Sequence, residues 1–277
     1  RALIIYLVIS AVFIGCTPIL SIDASTQSVY HFSDTDKNIS LLDISETFGT
    51  YDGSFVLYDN NLDSWKIYDL EEATKRIPPE STYKIYDALL GLESGIITPE
   101  HSSMTWNGDA FPFPSWEADQ DLNSAMQNSV NWYFQAIDSQ LGINRVQEFL
   151  NKIEYGNQTT SSNLDLYWSD FSLKISPLEQ VTLLKKFNTN EFHLNSQNVF
   201  SVKNAIKIAS TPNGNFYGKT GTGRVNGQDI NGWFIGYVET SDNSYYFATN
   251  IQSDSNATGK KAFEITSDIL KKLHIWN

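Results

Sequence analysis

The sequence predicts a mixed α+β fold: an antiparallel sheet flanked by helices, plus an all-helical subdomain. Three observations carry this. Residues 54–68 read as two β-rich runs around a turn, residues 122–209 repeat apolar side chains at three-to-four spacing, and residues 216–249 return to strand patterning before a last amphipathic helix. Strands at both ends with helices between bring the ends into one sheet, covered by the terminal helix and a helical cluster.

Composition narrows the function classes. Among 277 residues, 41% are apolar and 18% charged, as expected of a globular chain with an ample core. The net charge of −13 repels phosphate, so no nucleic-acid partner is expected. A single cysteine, Cys16, allows no internal disulfide and leaves no thiol for a nucleophile or a zinc ligand in the globular part. His31, His101, His193 and His274 share no paired spacing, so no metal site is expected.

Residues 1–24 read differently from the rest. Ala2 to Ile22 carries no charge, follows Arg1 and precedes Asp23, and has about the length that spans a bilayer. A membrane helix with Arg1 inside and the remainder outside is one reading. A signal peptide or lipoprotein segment, with Phe13-Ile14-Gly15-Cys16 as its cleavage region, is the other. Both leave the globular part extracellular. Residues 25–50, rich in Ser, Asp and Thr, read as a linker with a short amphipathic turn near Leu41 to Phe48, and residues 51–277 as the domain.

The elements follow in order. Ser54–Tyr58 and Trp65–Tyr68 form two strands around Asp59-Asn60-Asn61. Pro78-Pro79-Glu80 cannot continue a helix backwards, so a helix starts near Ser81; Tyr83, Tyr86, Leu89, Leu90 and Leu92 predict that it is buried. Gly95 to Asp121 is an irregular aromatic loop fit to wall a cleft. One helix is predicted over Leu122–Leu141 and a second over Asn144–Ile153, ending at Tyr155-Gly156-Asn157, where Gly156 suits a cap or tight turn. A third begins at Ser176-Pro177 and runs to Phe187, and a fourth covers Val199–Ala209. A three-strand meander over residues 216–249 and a helix from Gly259 to Leu273 complete the fold.

Candidate chemistry starts at Ser81-Thr82-Tyr83-Lys84. The two polar residues share a helix face one turn apart. A helix N-terminus favours developing negative charge at Ser81. Lys84, buried with no carboxylate partner evident in the sequence, is expected to have a depressed pKa, so that its neutral amine takes the serine proton. Ser-x-x-Lys arises by chance about once in a chain this long, so the motif alone decides little. Two further motifs follow in a fixed order: Ser129-Val130-Asn131 on the mid-chain helix and Lys219-Thr220-Gly221 on a late strand, with flanking glycines that leave room for a ligand.

With these three motifs in this order, the chain resembles the serine penicillin-recognising enzymes. Tyr155-Gly156-Asn157 and Trp168 make it similar to class D β-lactamases. Longer runs, among them Ser81–Tyr86, Ser129–Tyr133, Ser172–Ser176 and Gly218–Gly223, resemble the extracellular penicillin-sensor domain of BlaR/MecR-type transducers over about Gly53 to Leu273. The resemblance implies the β-lactamase/transpeptidase-like fold and β-lactam antibiotics as partners. It further implies attachment to the cell membrane through the N-terminal helix and an upstream metallopeptidase region. Carried over, Ser81 is the nucleophile and Lys84 the base, carbamylated by CO2 with Trp168 in support; no other cofactor is implied. Ser129 relays a proton, Lys219 supplies positive charge, and Thr220, Gly221 and Thr222 line the strand that receives the substrate carboxylate. Backbone N–H groups of Ser81 and Thr222 form the oxyanion hole. Asn131 stands where class D hydrolases usually carry an apolar residue, which points to a sensor that keeps its acyl group. Lys260 and Lys261 stand where many of those enzymes have an arginine. A class D β-lactamase remains the alternative, and a cell-wall transpeptidase a third reading.

Overall fold

A computed structural model describes residues 38–277 apart from residue 166; the predicted membrane or signal segment 1–24, with Cys16, lies outside the described residues. Ile39–Leu41 (β1) and Ser45–Phe48 (α1) lead into the hairpin Asp52–Asp59 (β2) and Ser64–Tyr68 (β3). A short helix, Leu70–Thr74 (α2), precedes a 3-10 turn, Glu80–Tyr83, that runs directly into Lys84–Glu93 (α3). The helical part comprises Leu122–Gln127 (α4), Asn131–Leu141 (α5), Ile143–Ile153 (α6), Pro177–Asn188 (α7) and Ser196–Ala205 (α8). Then come Lys207–Thr211 (β4), Gly214–Val225 (β5), Gln228–Thr240 (β6), Ser244–Gln252 (β7) and Gly259–Lys272 (α9).

Seven strands form one sheet in the order β1-β3-β2-β7-β6-β5-β4, antiparallel except for the parallel β1–β3 pair. The chain's early hairpin thus lies beside its last strand, as expected of strands at both ends. One face buries Phe55, Leu57, Phe234 and Phe247 against Ile265, Ile269 and Leu270 of α9. On the other, Lys185 of α7 sets its ammonium 4.5 Å from the Tyr58 ring centre. The alternation of strand side chains makes both faces possible from one sequence run.

Three sequence expectations are corrected. The supposed linker 25–50 belongs, in its described part, to the domain: Ile39–Leu41 pair in register with Trp65–Ile67, and Phe48 is buried in the α9 core. The predicted helix 122–141 is broken. Asn128 ends α4, Ser129 has φ +56, and Val130 is extended before α5 begins. The apolar spacing continues across the break because α4 and α5 each bury apolar side chains at helical spacing, so periodicity alone does not reveal it. The fourth helix stops at Ala205; Lys207–Thr211 instead pairs with β5, completing the sheet edge. Among the described residues, no helix is long and apolar enough to cross a membrane.

Candidate active site

The Ser81 turn is held from behind. Arg76 donates from Nε to both Glu179 oxygens at 3.0 Å, and Glu179 also closes the capping box with Ser176 that starts α7. Gln180, one residue on, donates to Thr82 Oγ1 at 2.9 Å, and Thr82 donates to the Pro79 carbonyl at 2.6 Å. Trp233 Nε1 and Asn231 Nδ2 reach the Pro78 carbonyl from β6. Glu80 sits at φ +53, a costly geometry for a non-glycine residue, buried with its amide on the Trp168 carbonyl. Burial raises its carboxyl pKa to about 8 against the opposing effects of Asn231 and Lys84, so it is largely neutral at pH 7.

Gly221 and Gly223 face this turn. A Cβ on Gly221 would sit 3.1 Å from the Pro79 carbonyl oxygen and 3.3 Å from the Ser81 nitrogen; one on Gly223 would fall 2.4 Å from Glu80 Oε1. The glycines therefore make room for the Ser81 turn, Gly221 for its backbone and Gly223 for the Glu80 side chain, while Gly221 also lines the cleft.

Ser81 and Lys84 meet as the helical spacing predicts, with Lys84 Nζ 2.8 Å from Ser81 Oγ. Nζ also donates to Asn131 Oδ1 at 2.7 Å, so Asn131 is part of the site and not an ordinary surface residue of α5. Phe134 and Trp168 lie against the ammonium, their ring centres 5.6 and 5.5 Å away. Trp168 is buried and stacks on Tyr83; it walls Lys84 rather than the open cleft. Its loop is clamped by Asn157, whose Oδ1 accepts from the Lys174 amide and whose Nδ2 donates to the Ser172 carbonyl. Gly156 has φ +51, and a Cβ there would strike the Lys174 carbonyl oxygen at 1.9 Å.

Burial lowers the Lys84 pKa to about 7, while Asp87, Glu80 and Asp138 act the other way. Sequence reading missed these acids, although Asp87 lies one turn beyond Lys84 on the same helix. Asp87 and Asp138 are fully buried and have carboxyl oxygens without a hydrogen-bond partner among the described residues. Burial drives both pKa values up, against the opposing effects of Lys84 on Asp87 and of the Tyr167 hydroxyl on Asp138.

The opposite wall carries a second serine–lysine pair. Lys219 Nζ donates to Ser129 Oγ at 2.8 Å and to the Thr220 carbonyl at 3.0 Å. Ser129 reaches it from the α4–α5 break, not from the helix that the sequence predicts. Lys219 is buried, and burial followed by the nearby Lys84 charge pushes its pKa well below the usual range, with no acid among the described residues offsetting it. Thr222 accepts the first amide of α9, from Gly259, at 2.8 Å.

Between the walls lies a cleft of about 400 Å³ lined by Ser81, Ser129, Asn131 and Thr220 to Thr222, with Phe113 and Trp116 from the aromatic loop. That volume suits a small organic ligand. Lys260 and Lys261 do not line it; Lys261 pairs with Glu264 on the outer surface of α9. The guanidinium at the cleft is Arg224, paired with Asp229 across the β5–β6 hairpin, a position the sequence reading missed.

Two Ser–Lys pairs facing one cleft, beneath a glycine-lined strand, correspond to a known architecture, and residues 49–271 match the family model for the penicillin binding protein transpeptidase domain. The chain belongs to this family. Within it, the chain is 45% identical over 99% of its length to regulatory protein BlaR1 of Bacillus licheniformis, covering 45% of that protein. It thus spans about half the length of the curated relatives it matches. The solved C-terminal domain of the B. licheniformis BlaR penicillin-receptor superposes with a TM-score of 0.84 at 46% identity, over 87% of this chain and 98% of that one. The probable β-lactamase YbxI of Bacillus subtilis is 37% identical over 85% of this chain and 86% of its own. The fold is thus the penicillin-recognising, class D β-lactamase-like one expected from the sequence.

Proposed function

We propose that this domain is an extracellular β-lactam sensor, acylated at Ser81 by penicillins and slow to lose the acyl group. The observation that carries the reading is the meeting of Ser81–Lys84 and Ser129–Lys219 across one cleft. Similarity to the BlaR penicillin-receptor domain supports the sensor role. On this reading the domain stands outside the cell membrane, attached through residues 1–24, with a metallopeptidase region further upstream in the whole protein.

The residues have a division of labour. Neutral Lys84 accepts the Ser81 proton along their 2.8 Å contact while donating to Asn131. Ser81 Oγ attacks the lactam carbonyl carbon, and the amides of Ser81 and Thr222 receive the oxyanion. The C–N bond breaks, and Ser129 passes its proton to the departing nitrogen while taking one from Lys219, 2.8 Å away. The substrate carboxylate, held by Thr220 and Thr222, gives Lys219 the counter-charge that its buried site lacks, so ligand binding favours its ammonium form.

The uncharged Lys84 amine, walled by Phe134 and Trp168, fits the form that combines with CO2. Such an adduct supplies a carboxylate-type base when present. Asn131 favours the free amine by accepting its N–H, which leaves water at the acyl ester without a base. This is the basis for a long-lived acyl group and for preferring a sensor to a class D β-lactamase.

Mass spectrometry of the domain mixed with benzylpenicillin tests the reading. The expected result is one adduct on Ser81 that persists for an hour or more. Release within milliseconds would reject the sensor in favour of the hydrolase; the two lifetimes differ about 10⁶-fold, or about 8 kcal/mol in the deacylation barrier.

A further inference from the structure

Arg224 carries a charge at the cleft that the chemistry above does not use. On β5 the order is Lys219, Gly221 against the Ser81 amide, Gly223 against Glu80, then Arg224. Lys219 and Arg224 are five residues apart, or about 17 Å of extended strand, with the nucleophile between them. Arg224 shares its strand parity with Thr220 and Thr222, which line the cleft ahead of it. The pairing breaks at that point: Gly223 opposes Asn231 and Arg224 opposes Asp229, leaving Ile230 as an extra residue on β6. Such a bulge re-aims side chains, and both Arg224 and Asp229 line the same cleft as Ser81.

Asp229 fixes the guanidinium by accepting from Nε at 2.7 Å and from Nη2 at 3.2 Å. Two of the five N–H donors are thereby used and three remain. The arginine side chain is 60% exposed and the aspartate 20%, so the pair presents its cationic member. In a chain of net charge −13, an anionic ligand needs such a local cation to approach.

A β-lactam acylating Ser81 carries its ring carboxylate on one side of the reacting bond and its acylamino side chain on the other. With the carboxylate toward Lys219, the side chain runs along β5 toward Arg224. Building on the acylation reading, we propose that Arg224, oriented by Asp229, is a second anion subsite that selects β-lactams with a carboxylate on the acylamino side chain.

The test compares acylation of Ser81 by benzylpenicillin and by its side-chain-carboxylated analogue, followed by adduct mass at low salt. Arg224→Gln is expected to lower the rate ratio, carboxylated over plain, about five- to tenfold. Asp229→Asn, which removes the competing carboxylate, is expected to raise it, and added salt to lower it in the unaltered domain. An unchanged ratio in Arg224→Gln, or an equal loss with both compounds, would mean that the pair only staples the hairpin and would overturn the subsite. Failure of the unaltered domain to form an adduct with either compound would instead overturn the acylation reading, and the subsite with it.

Discussion

On the helical wall of the cleft, Ser81 and Lys84 are three residues apart; on the sheet wall, Ser129 and Lys219 are ninety apart; both pairs meet at 2.8 Å. Their surroundings differ. Lys84 has Asp87, Glu80 and Asp138 nearby, which oppose the effect of burial and leave it titrating near neutrality. Lys219 has no such acids among the described residues and is pushed further down by Lys84 itself. Equal geometry therefore does not mean equal chemistry. The acids leave Lys84 exchanging protons near pH 7, while burial and the Lys84 charge both disfavour the ammonium form of Lys219.

The sharpest way to break this contrast is to delete each serine. Ser81→Ala should abolish the penicillin adduct by mass, whereas Ser129→Ala should keep it and slow its formation by about 10² or more. An adduct surviving in Ser81→Ala would mean that the walls have been assigned the wrong way round. Next in size is Lys84→Ala, expected to slow acylation about 10²- to 10⁴-fold with Ser81 intact.

The pH profile separates the lysines more finely. Below about pH 7 Lys84 is increasingly protonated and cannot act as base, so the acylation rate should fall about tenfold per unit as pH drops and level off above 7. Asp87→Asn removes the ionised share of a carboxyl group that favours the ammonium form, so the midpoint should move to lower pH. A midpoint unmoved by that change would remove the acids from the account.

Asn131→Val should lengthen CO2 retention on Lys84, read by labelled-bicarbonate NMR, and shorten the adduct half-life. No change in either would remove the reason for preferring a sensor. The smallest effect on the chemistry is expected from Gly156→Ala, which acts through the Trp168 loop. It should cost about 2 kcal/mol or more of stability, seen as a lowered Tm, because the position needs φ +51 and has no room for a Cβ.

Much of the site was legible before folding. Ser81–Lys84 follows from helical spacing, and the order of the three motifs points to the strand lysine that meets Ser129. The Ser129 break was less visible, although Asn128 and Ser129 are poor helix formers and mark where a helix can stop. Arg224 was not legible as one of a pair: its place opposite Asp229 depends on one extra residue, Ile230, on a different strand. Lys260 and Lys261 were misleading for the same reason, since sequence gives their position on α9 but not the face they leave to solvent.

The sequence by itself determined what depends on neighbours along the chain: the turn that presents Ser81, the lysine one turn later, the strand periods, and the glycines at Gly221 and Gly223. Tertiary structure decided the Ser129–Lys219 contact, the aromatic wall of Phe134 and Trp168 around Lys84, and the charge state of each lysine. Burial and the distance to a counter-charge set those states, and both come into being only when segments remote in sequence close around the same volume.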